Sequence, residues 1–491
     1  MSKPILSKTS YIHGLQCLKY VYLYKKHYKL QDRLTPEKLA KFKRGHEVGF
    51  LAQELFPGGI NLKPASHFHN VKAVANTQKY IAKQAPVIYE GAFAFDGVLI
   101  FIDILVNDQG QYKAYEVKSS LTISETYVQD AALQYYVLKG SGLKLKDMSV
   151  ITVNKDYIKQ GTIDIPDFFC ITDINSRVEQ MQEDVAYNIA AQKQTLSRSE
   201  IPDVPVGLHC RKPYDCAFMK YCWGALRKKP SVFDLDFLSY ESQVAFYEKG
   251  EQDLTHFLNK HPLSALEKTK VKSLLNKTTH VETDALKTFF NNIGHNYAFL
   301  EILIHQPAIP LFNDFKPYMP LPFSIAVAPA GNNTEEAHTF FMDDNSNAML
   351  QPFLENICEQ YESLIVYDEK SLKEQLNDCL KHCLVNDVTI QKLLSKIIGL
   401  KNVFLKGMYI SYKINMQQSK DEILSKLGLK NPFPNKYKIN NIYEARNQYD
   451  VFSKTVSEAD KQKYRQKIKS YNIECLKYLK RLYDFFHLKI R

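Results

Sequence analysis

The chain has 491 residues, of which 45% are hydrophobic and 24% are charged, and this length predicts two or three domains of an ordinary globular protein. No apolar run is long enough to cross a bilayer, and the first residues lack the apolar stretch of a signal peptide, so we expect a cytoplasmic protein with no membrane partner. The odd number of cysteines, nine, argues against a disulfide framework.

The net charge of +11 is concentrated at the C-terminal end of the chain. Residues 401–491 contain 20 lysines and arginines against 8 aspartates and glutamates, so the first 400 residues are close to neutral. Tyrosines are interleaved with these basic residues. The segment is typical of a surface that binds nucleic acid, and a set of solvated helix faces is the alternative interpretation.

Two neighbouring segments predict a β-hairpin that carries acidic side chains. Residues 98–105 (VLIFIDIL) and 112–119 (YKAYEVKS) are rich in β-branched and aromatic residues, and a turn-forming Asn-Asp-Gln-Gly sequence separates them. Because side chains two positions apart on a strand share a face, Glu116 and Lys118 should point the same way. Asp103 on the other strand can then face Glu116.

Two carboxylates followed by a lysine have the spacing of a divalent-metal nuclease core. The carboxylates of Asp103 and Glu116, with the backbone carbonyl of Val117, are hard oxygen ligands that suit Mg²⁺ or Mn²⁺. Lys118 could orient a water molecule or stabilise charge that builds on a phosphate. An edge salt bridge in an ordinary sheet is the alternative interpretation.

A second cluster of candidate ligands consists of cysteines. Cys210, Cys216 and Cys222 are equally spaced in HCRKPYDCAFMKYCW, and Cys17 is the only cysteine among the first 169 residues. Four thiolates favour an iron–sulfur cluster or zinc. His209 is the rival fourth ligand and would favour zinc. Simple burial in the core is the alternative for the three clustered cysteines.

The two clusters together resemble a known nuclease arrangement. Two acidic strand residues and a lysine, between one early cysteine and a later cysteine triplet, are similar to PD-(D/E)XK nucleases with a four-cysteine [4Fe–4S] cluster. Such nucleases occur in CRISPR adaptation and in bacterial helicase–nuclease repair complexes. The most specific segment is HCRKPYDCAFMKYCW, and further matches are LSKTSYIHGLQCLKYVYL, KRGHEVGFLAQELFPGG, IYEGAFAFDGVLIFIDIL and YVQDAALQYYVL. The whole chain resembles an uncharacterised bacterial family in which such a nuclease is fused to a DnaQ-like domain.

The resemblance implies a role for each residue of the first cluster. Asp103 and Glu116 would bind the metal and Lys118 would be the catalytic lysine. Gln134, on the following helix, would touch DNA or orient the site. The four cysteines would hold a structural [4Fe–4S] cluster, with zinc as the less favoured occupant. Related nucleases often carry a metal-binding histidine on the first helix, where this chain has Gly49.

The second half of the chain resembles a degenerate exonuclease domain. Active domains of this kind need an Asp-x-Glu pair on the first strand to hold two metal ions. The corresponding positions here are Glu301 and Leu303, so the second carboxylate is missing. The last helix has Glu474-Cys475 where an aspartate is expected. We therefore predict that this domain is not catalytic.

These patterns predict an α/β protein built from three segments. They are a PD-(D/E)XK restriction-endonuclease-like domain at residues 1–225, a helical connector at 226–275, and a degenerate RNase H-like (DnaQ-type) domain with a basic end at 276–491. The predicted function is metal-dependent hydrolysis of phosphodiester bonds, with DNA as the expected substrate, in repair or defence. The alternative is a catalytically silent nucleic-acid-binding scaffold that docks a partner helicase or nuclease.

Overall fold

The computed structural model describes residues 5–66, 70–224, 226–331, 337–343, 347–429 and 439–490. With 51% helix and 18% strand, the protein belongs to the mixed α/β class that the sequence predicts. The chain divides into two compact units, one of residues 1–225 with 308–317 and one of residues 226–307 with 318–491. In the part of the chain described, no helix has the length and apolar character needed to cross a membrane.

The first unit contains seven strands and nine helices within its described residues. In chain order they are β1 Leu6–Ser7, α1 Lys8–Gln16, α2 Leu18–Lys26, α3 Pro36–Ala52, β2 Ile60–Asn61, α4 Asn70–Ala82, β3 Val87–Phe95, β4 Val98–Asp108, β5 Gln111–Val117, α5 Glu125–Gly140, β6 Leu145–Val153, α6 Ile165–Phe168, β7 Phe169–Asp173, α7 Asn175–Gln180, α8 Gln182–Ser197 and α9 Met219–Trp223.

A mixed sheet forms the centre of this unit, in the order β2-β3-β4-β5-β6-β7, with β1 beside the beginning of β4. The strands β3, β4 and β5 are antiparallel, whereas β6 runs parallel to β5. The chain crosses from β5 to β6 through α5, whose apolar side chains join the core formed by the strands. Parallel neighbours need such a crossover, which accounts for the helix at this point.

The hairpin between β4 and β5 sets the register of the candidate site. Gln109 and Gly110 form its two-residue loop, and both have positive φ, 56° and 84°. A type I′ hairpin turn requires positive φ at both positions, and its twist matches that of the flanking strands. The antiparallel register, continued by one pair, places Asp103 opposite Glu116. The predicted pair of strands is confirmed, with ends that differ by a few residues.

The second unit contains eleven helices and seven strands within its described residues. In chain order they are α10 Tyr240–Glu248, α11 Leu254–Lys260, α12 Ala265–Asn276, β8 Thr279–Val281, α13 Thr283–Asn291, β9 Tyr297–His305, β10 Leu321–Pro329, β11 His338–Phe341, α14 Asn347–Gln360, β12 Ser363–Val366, α15 Glu369–His382, α16 Asp387–Lys396, β13 Ile397–Gly399, α17 Asn402–Leu405, β14 Tyr409–Ser411, α18 Lys420–Lys426, α19 Ile442–Lys454 and α20 Glu458–His487.

A five-stranded sheet forms the centre of the second unit, in the order β11-β10-β9-β12-β13. The strands β9, β10 and β11 are antiparallel, and β12 and β13 run parallel to β9. The long helix α20 buries Leu476, Leu479, Leu482 and Phe486 in the same core as these strands. The strands β8 and β14 pair separately.

The segment predicted as a connector is helical and belongs to the second unit. It contains the helices α10, α11 and α12, which follow a short turn. The turn and these helices pack around a small core of apolar side chains: Val232, Leu235, Leu254, Phe257 and Val271. By contrast, the segment Ala308–Pro317 from the second half of the chain belongs to the first unit. There the backbone N–H of Asp314 donates to the carbonyl of Lys159 at 2.9 Å. No feature of the sequence indicated this excursion between β9 and β10.

Candidate active site

Glu116, near the end of β5, is a fully enclosed acidic side chain with three donors around it. It is 1% exposed. Its Oε1 accepts from Nζ of Lys118 and from Nζ of Lys8, each at 2.7 Å. Its Oε2 accepts from Nε2 of Gln134 at 2.8 Å. A carboxylate can remain buried only when its charge and lone pairs are met in this way.

The two ammonium groups keep Glu116 ionised. Burial by itself would raise the pKa of Glu116, but the charges of Lys118 and Lys8 outweigh burial and hold this pKa well below its usual range. For Lys118, burial by itself would lower the pKa, but the charges of Asp130 and Glu116 raise it well above its usual value. Lys118 is therefore a protonated, fixed positive charge.

Helix α5 adds Asp130 and Gln134, which lie one turn apart on the same face. Asp130 Oδ2 is 2.6 Å from Nζ of Lys118. The remaining oxygens, Asp130 Oδ1 and Gln134 Oε1, are buried and find no hydrogen-bond donor among the described residues. Buried acceptors are normally paired, so these two indicate a place for water or a cation. Because Gln134 is 0% exposed and bonded to Glu116, it is placed to orient that carboxylate.

Asp103 is a carboxyl group whose ionised form the protein stabilises only in part. Its Oδ2 accepts from the backbone N–H of Val117 at 2.7 Å. Burial and the neighbouring charge of Glu116 raise the pKa of Asp103 to about 8, against the opposing effect of Lys8. Without a further positive charge, Asp103 is therefore mostly protonated at neutral pH.

The chemistry of these groups fits a hard divalent cation. The carboxylates of Asp103 and Glu116 and the carbonyl of Val117 are oxygen ligands of the kind that Mg²⁺ and Mn²⁺ prefer. Such a cation would favour the ionised form of Asp103, against the effects of burial and of Glu116 that raise its pKa. Across the residues that the structure describes, no three His, Cys, Asp or Glu side chains converge as a metal site, so water would complete the coordination shell.

Two further positions bear on the site. Gly49 lies on α3 with open space around it, since nothing stands within 4 Å of an added Cβ. This position, where the resemblance leads us to expect a histidine, therefore has room for a side chain but carries none. Glu90, on β3, has a positive φ of 54° and lies 3.4 Å from Nζ of Lys63. Such a backbone conformation costs about 1 kcal/mol or more for a residue with a side chain, and it occurs often near functional sites.

The four cysteines singled out in the sequence line one pocket. Cys17, Cys210, Cys216 and Cys222 are among the residues that line this pocket, which has about 360 Å³ of empty space, part of it open to solvent. Among the described residues the four thiols do not converge as a preformed metal site. Burial, with a smaller effect of the neighbouring thiols, raises the pKa of Cys216 to about 12. Four thiols are the donor set of an iron–sulfur or zinc centre. His209 also lines the pocket, with Nε2 3.7 Å from Sγ of Cys210, so it stays an alternative ligand.

In the second unit, the two positions compared with an Asp-x-Glu metal pair do not form a pair of carboxylates. Glu301, on β9, lies 3.4 Å from Nζ of Lys420, and Leu303 is 3% exposed. Cys475, on α20, is buried near them, and burial together with the charge of Glu301 raises the pKa of its thiol. A lysine and a cysteine therefore lie beside the carboxylate of Glu301.

Lys8 is the site residue that the sequence analysis did not find. It lies 108 positions before Glu116, and no local pattern links the two. The only available signal was its place one helix length before Cys17, in the segment LSKTSYIHGLQC.

Comparisons with known proteins give a match in the second half of the chain. Residues 304–419 match a family described as "Domain of unknown function (DUF2779)". This range contains none of the carboxylates or cysteines of the two clusters in the first unit. No curated protein matches the chain.

Asp103→Asn should stabilise the protein in the absence of divalent metal at neutral pH. The pKa of Asp103 is raised from 3.8 to about 8 on folding, so its ionisation opposes folding increasingly as pH rises from 4 to 8. Asparagine keeps an acceptor for the N–H of Val117 but carries no charge. Because Asp103 is partly exposed, we expect a gain of about 1–2 kcal/mol in the free energy of unfolding at neutral pH.

Urea denaturation in EDTA at several pH values measures this gain, which should vanish near the ordinary pKa of an aspartate, 3.8. Asp108→Asn on the same strand is the control, because Lys146 lowers the pKa of Asp108 and no gain is expected. A loss of stability in Asp103→Asn at every pH would contradict the described electrostatics.

Proposed function

We propose that the first unit is a nuclease that depends on a divalent metal ion and hydrolyses phosphodiester bonds, with DNA as the expected substrate. The observation that carries this proposal is the environment of Glu116. This buried carboxylate is fixed by two ammonium groups and an amide, and it lies opposite Asp103, whose pKa is raised. A structural salt bridge needs one cation for one anion and does not require this surplus of buried acceptors.

The topology of the first unit supports a PD-(D/E)XK fold. A helix precedes three antiparallel strands, and a crossover helix then leads to a strand parallel to the third. These elements are α4, β3, β4, β5, α5 and β6. The proposed ligands lie on β4 and β5, and α5 supplies the orienting amide. The sequence resemblance and this arrangement favour the same fold.

The chain's own residues would each make a distinct contribution to hydrolysis. Asp103, Glu116 and the Val117 carbonyl would hold Mg²⁺ or Mn²⁺. When bound, such an ion lowers the pKa of a coordinated water and polarises the phosphate. Gln134 keeps Glu116 in orientation through its 2.8 Å hydrogen bond. Lys118 would stabilise charge on a phosphate oxygen, since its raised pKa keeps it protonated and unable to accept a proton from water.

The cysteine pocket supports a structural iron–sulfur centre. Its cysteines come from the ends of the first unit, Cys17 after α1 and the other three after α8. A cluster held by four thiolates would tie these ends together, and its binding energy would stabilise the fold. Zinc is the alternative occupant, with His209 as a possible ligand.

For the second unit we propose a non-catalytic RNase H-like domain. Its sheet order, with β9 between β10 and β12, is the arrangement of that fold, which supports the resemblance. Two-metal hydrolysis needs carboxylates that bridge the ions, whereas Leu303 is apolar and Lys420 is a cation beside Glu301. The basic segment 401–491 would contribute nucleic-acid binding, although residues 430–438 of it lie outside the described residues.

Lys118→Ala should abolish metal-dependent cleavage. The loss of the fixed positive charge should lower the rate at least about 100-fold. The assay uses end-labelled single-stranded DNA, duplex DNA and RNA with Mg²⁺ or Mn²⁺. Lys113→Ala is the matched control, since Lys113 lies on β5, the strand that Lys118 follows, but pairs with the half-buried Asp108 at 3.8 Å. Equal cleavage by wild type and Lys118→Ala, or none by wild type, would favour the silent scaffold instead.

Cys216→Ser should remove the visible absorbance of an iron–sulfur cluster from protein purified without oxygen. It should also lower the melting temperature, because cluster binding stabilises the fold. Cys170→Ser is the control, since Cys170 is exposed and lies on β7 outside the cysteine pocket. Colourless wild-type protein that contains stoichiometric zinc would identify the alternative occupant. Stable, coloured Cys216→Ser protein would contradict the assignment of this ligand.

A further inference from the structure

A second lysine, near the beginning of the chain, contacts one of the proposed metal-binding carboxylates. Nζ of Lys8 lies 2.7 Å from Glu116 Oε1, the same oxygen that accepts from Lys118. It also lies 3.7 Å from Asp130 Oδ2. The side chain of Lys8 is 29% exposed and that of Lys118 is 16% exposed. Lys8 is therefore the lysine with the more exposed side chain of the two.

The backbone of Lys8 is fixed by the strand before it. Residues Leu6–Ser7 pair in parallel with the beginning of β4, the strand that carries the first carboxylate. Ser7 then begins α1 with a capping box, in which its side chain accepts from the N–H of Ser10 and the side chain of Ser10 accepts from the N–H of Ser7. These contacts set the position of the first helical residue relative to the sheet.

The other end of α1 is held equally firmly. Nε2 of Gln16 donates to the carbonyls of His209 and Tyr214, at 2.6 and 2.7 Å. In the last turn of the helix, Gly14 packs so closely that an added Cβ would overlap the side chain of Gln192. Because α1 can neither slide nor rotate without breaking these contacts, Lys8 is held in place before any ligand binds.

The two lysines differ in how strongly they are held. Lys118 has a second carboxylate partner, Asp130, at 2.6 Å, whereas the second contact of Lys8 is longer, at 3.7 Å. A divalent cation that binds Glu116 Oε1 must displace an ammonium group from that oxygen. The cation would therefore displace Lys8, because its side chain is the more exposed of the two and its second contact is longer.

We infer that Lys8 is a positioning residue that serves as the built-in counter-cation of the carboxylate site and competes with the divalent metal for Glu116. This inference rests on the proposed function, because it assumes that Asp103 and Glu116 hold the metal. Lys8 keeps the carboxylates ordered when no metal is bound, and it lowers the affinity of the site for divalent cations. A lysine with a merely structural role would not oppose metal binding.

The test compares Mn²⁺ binding to wild type, Lys8→Met and Lys8→Gln, measured from the electron paramagnetic resonance signal of free Mn²⁺. Both variants remove the charge of Lys8: methionine keeps most of the apolar stem but has no hydrogen-bond donor, whereas glutamine keeps a donor. We expect each to bind Mn²⁺ at least about threefold more tightly than wild type, because a unit charge is removed from beside the carboxylates. Cleavage turnover should fall in both, since Glu116 loses one of its two ammonium partners.

Lys8→Arg should restore Mn²⁺ affinity to within about twofold of wild type, because it restores the charge. Lys146→Met is the matched control, since it removes an exposed lysine that pairs with Asp108 away from the site. Unchanged or weaker Mn²⁺ binding in Lys8→Met and Lys8→Gln would overturn the role of Lys8 alone. Wild-type protein that binds no Mn²⁺ would overturn the proposed metal site and this inference together.

Discussion

The compensation of buried charge around Glu116 determines how the first unit is built. An enclosed carboxylate at the end of a central strand destabilises a fold unless donors surround it. Here the donors come from three distant parts of the sequence: the first helix, the residue that follows β5, and the crossover helix. The N-terminal helix, the sheet and α5 therefore have to meet at one point. Removing one partner from such a buried cluster typically costs about 3–5 kcal/mol.

The same helix connects this cluster to the cysteine pocket. Helix α1 begins at Lys8 beside Glu116, and the residue after its last turn is Cys17. A rise of roughly 1.5 Å per residue makes this helix a short, stiff connection between the two clusters. A centre bound to the cysteines would thus help to hold Lys8 in place. Through this helix, a structural metal centre at the cysteines could stabilise the carboxylate site without any redox chemistry.

Local patterns in the sequence predicted the parts of the site that depend on neighbouring residues. Strand composition and the turn between β4 and β5 predicted the hairpin, and the period of a strand placed Glu116 and Lys118 on one side. The resemblance pointed to Gln134 on the following helix, which the structure places beside Glu116. Lys8 could not be found in this way, because its contact with Glu116 spans 108 positions and depends on the tertiary packing of α1.

In the second unit, too, local sequence patterns did not predict contacts between residues that are far apart in the chain. The resemblance to exonuclease domains leads us to expect a carboxylate at the position of Leu303, which is buried on β9, and Glu301 on the same strand pairs with Lys420. The presence of Lys420 at that place followed from no local pattern, since it begins α18, 119 positions after Glu301. The passage of Ala308–Pro317 into the first unit was unpredictable for a similar reason. Both features depend on packing between residues that are far apart in the sequence.

One isosteric change in each unit shows which unit holds the active site. Glu116→Gln and Glu301→Gln each remove a single negative charge with little change in shape, and cleavage of DNA with Mn²⁺ is measured for both. We expect Glu116→Gln to abolish cleavage and Glu301→Gln to leave the rate close to that of wild type. Cleavage that survives Glu116→Gln but disappears in Glu301→Gln would place the active site in the second unit and overturn the role of Glu116.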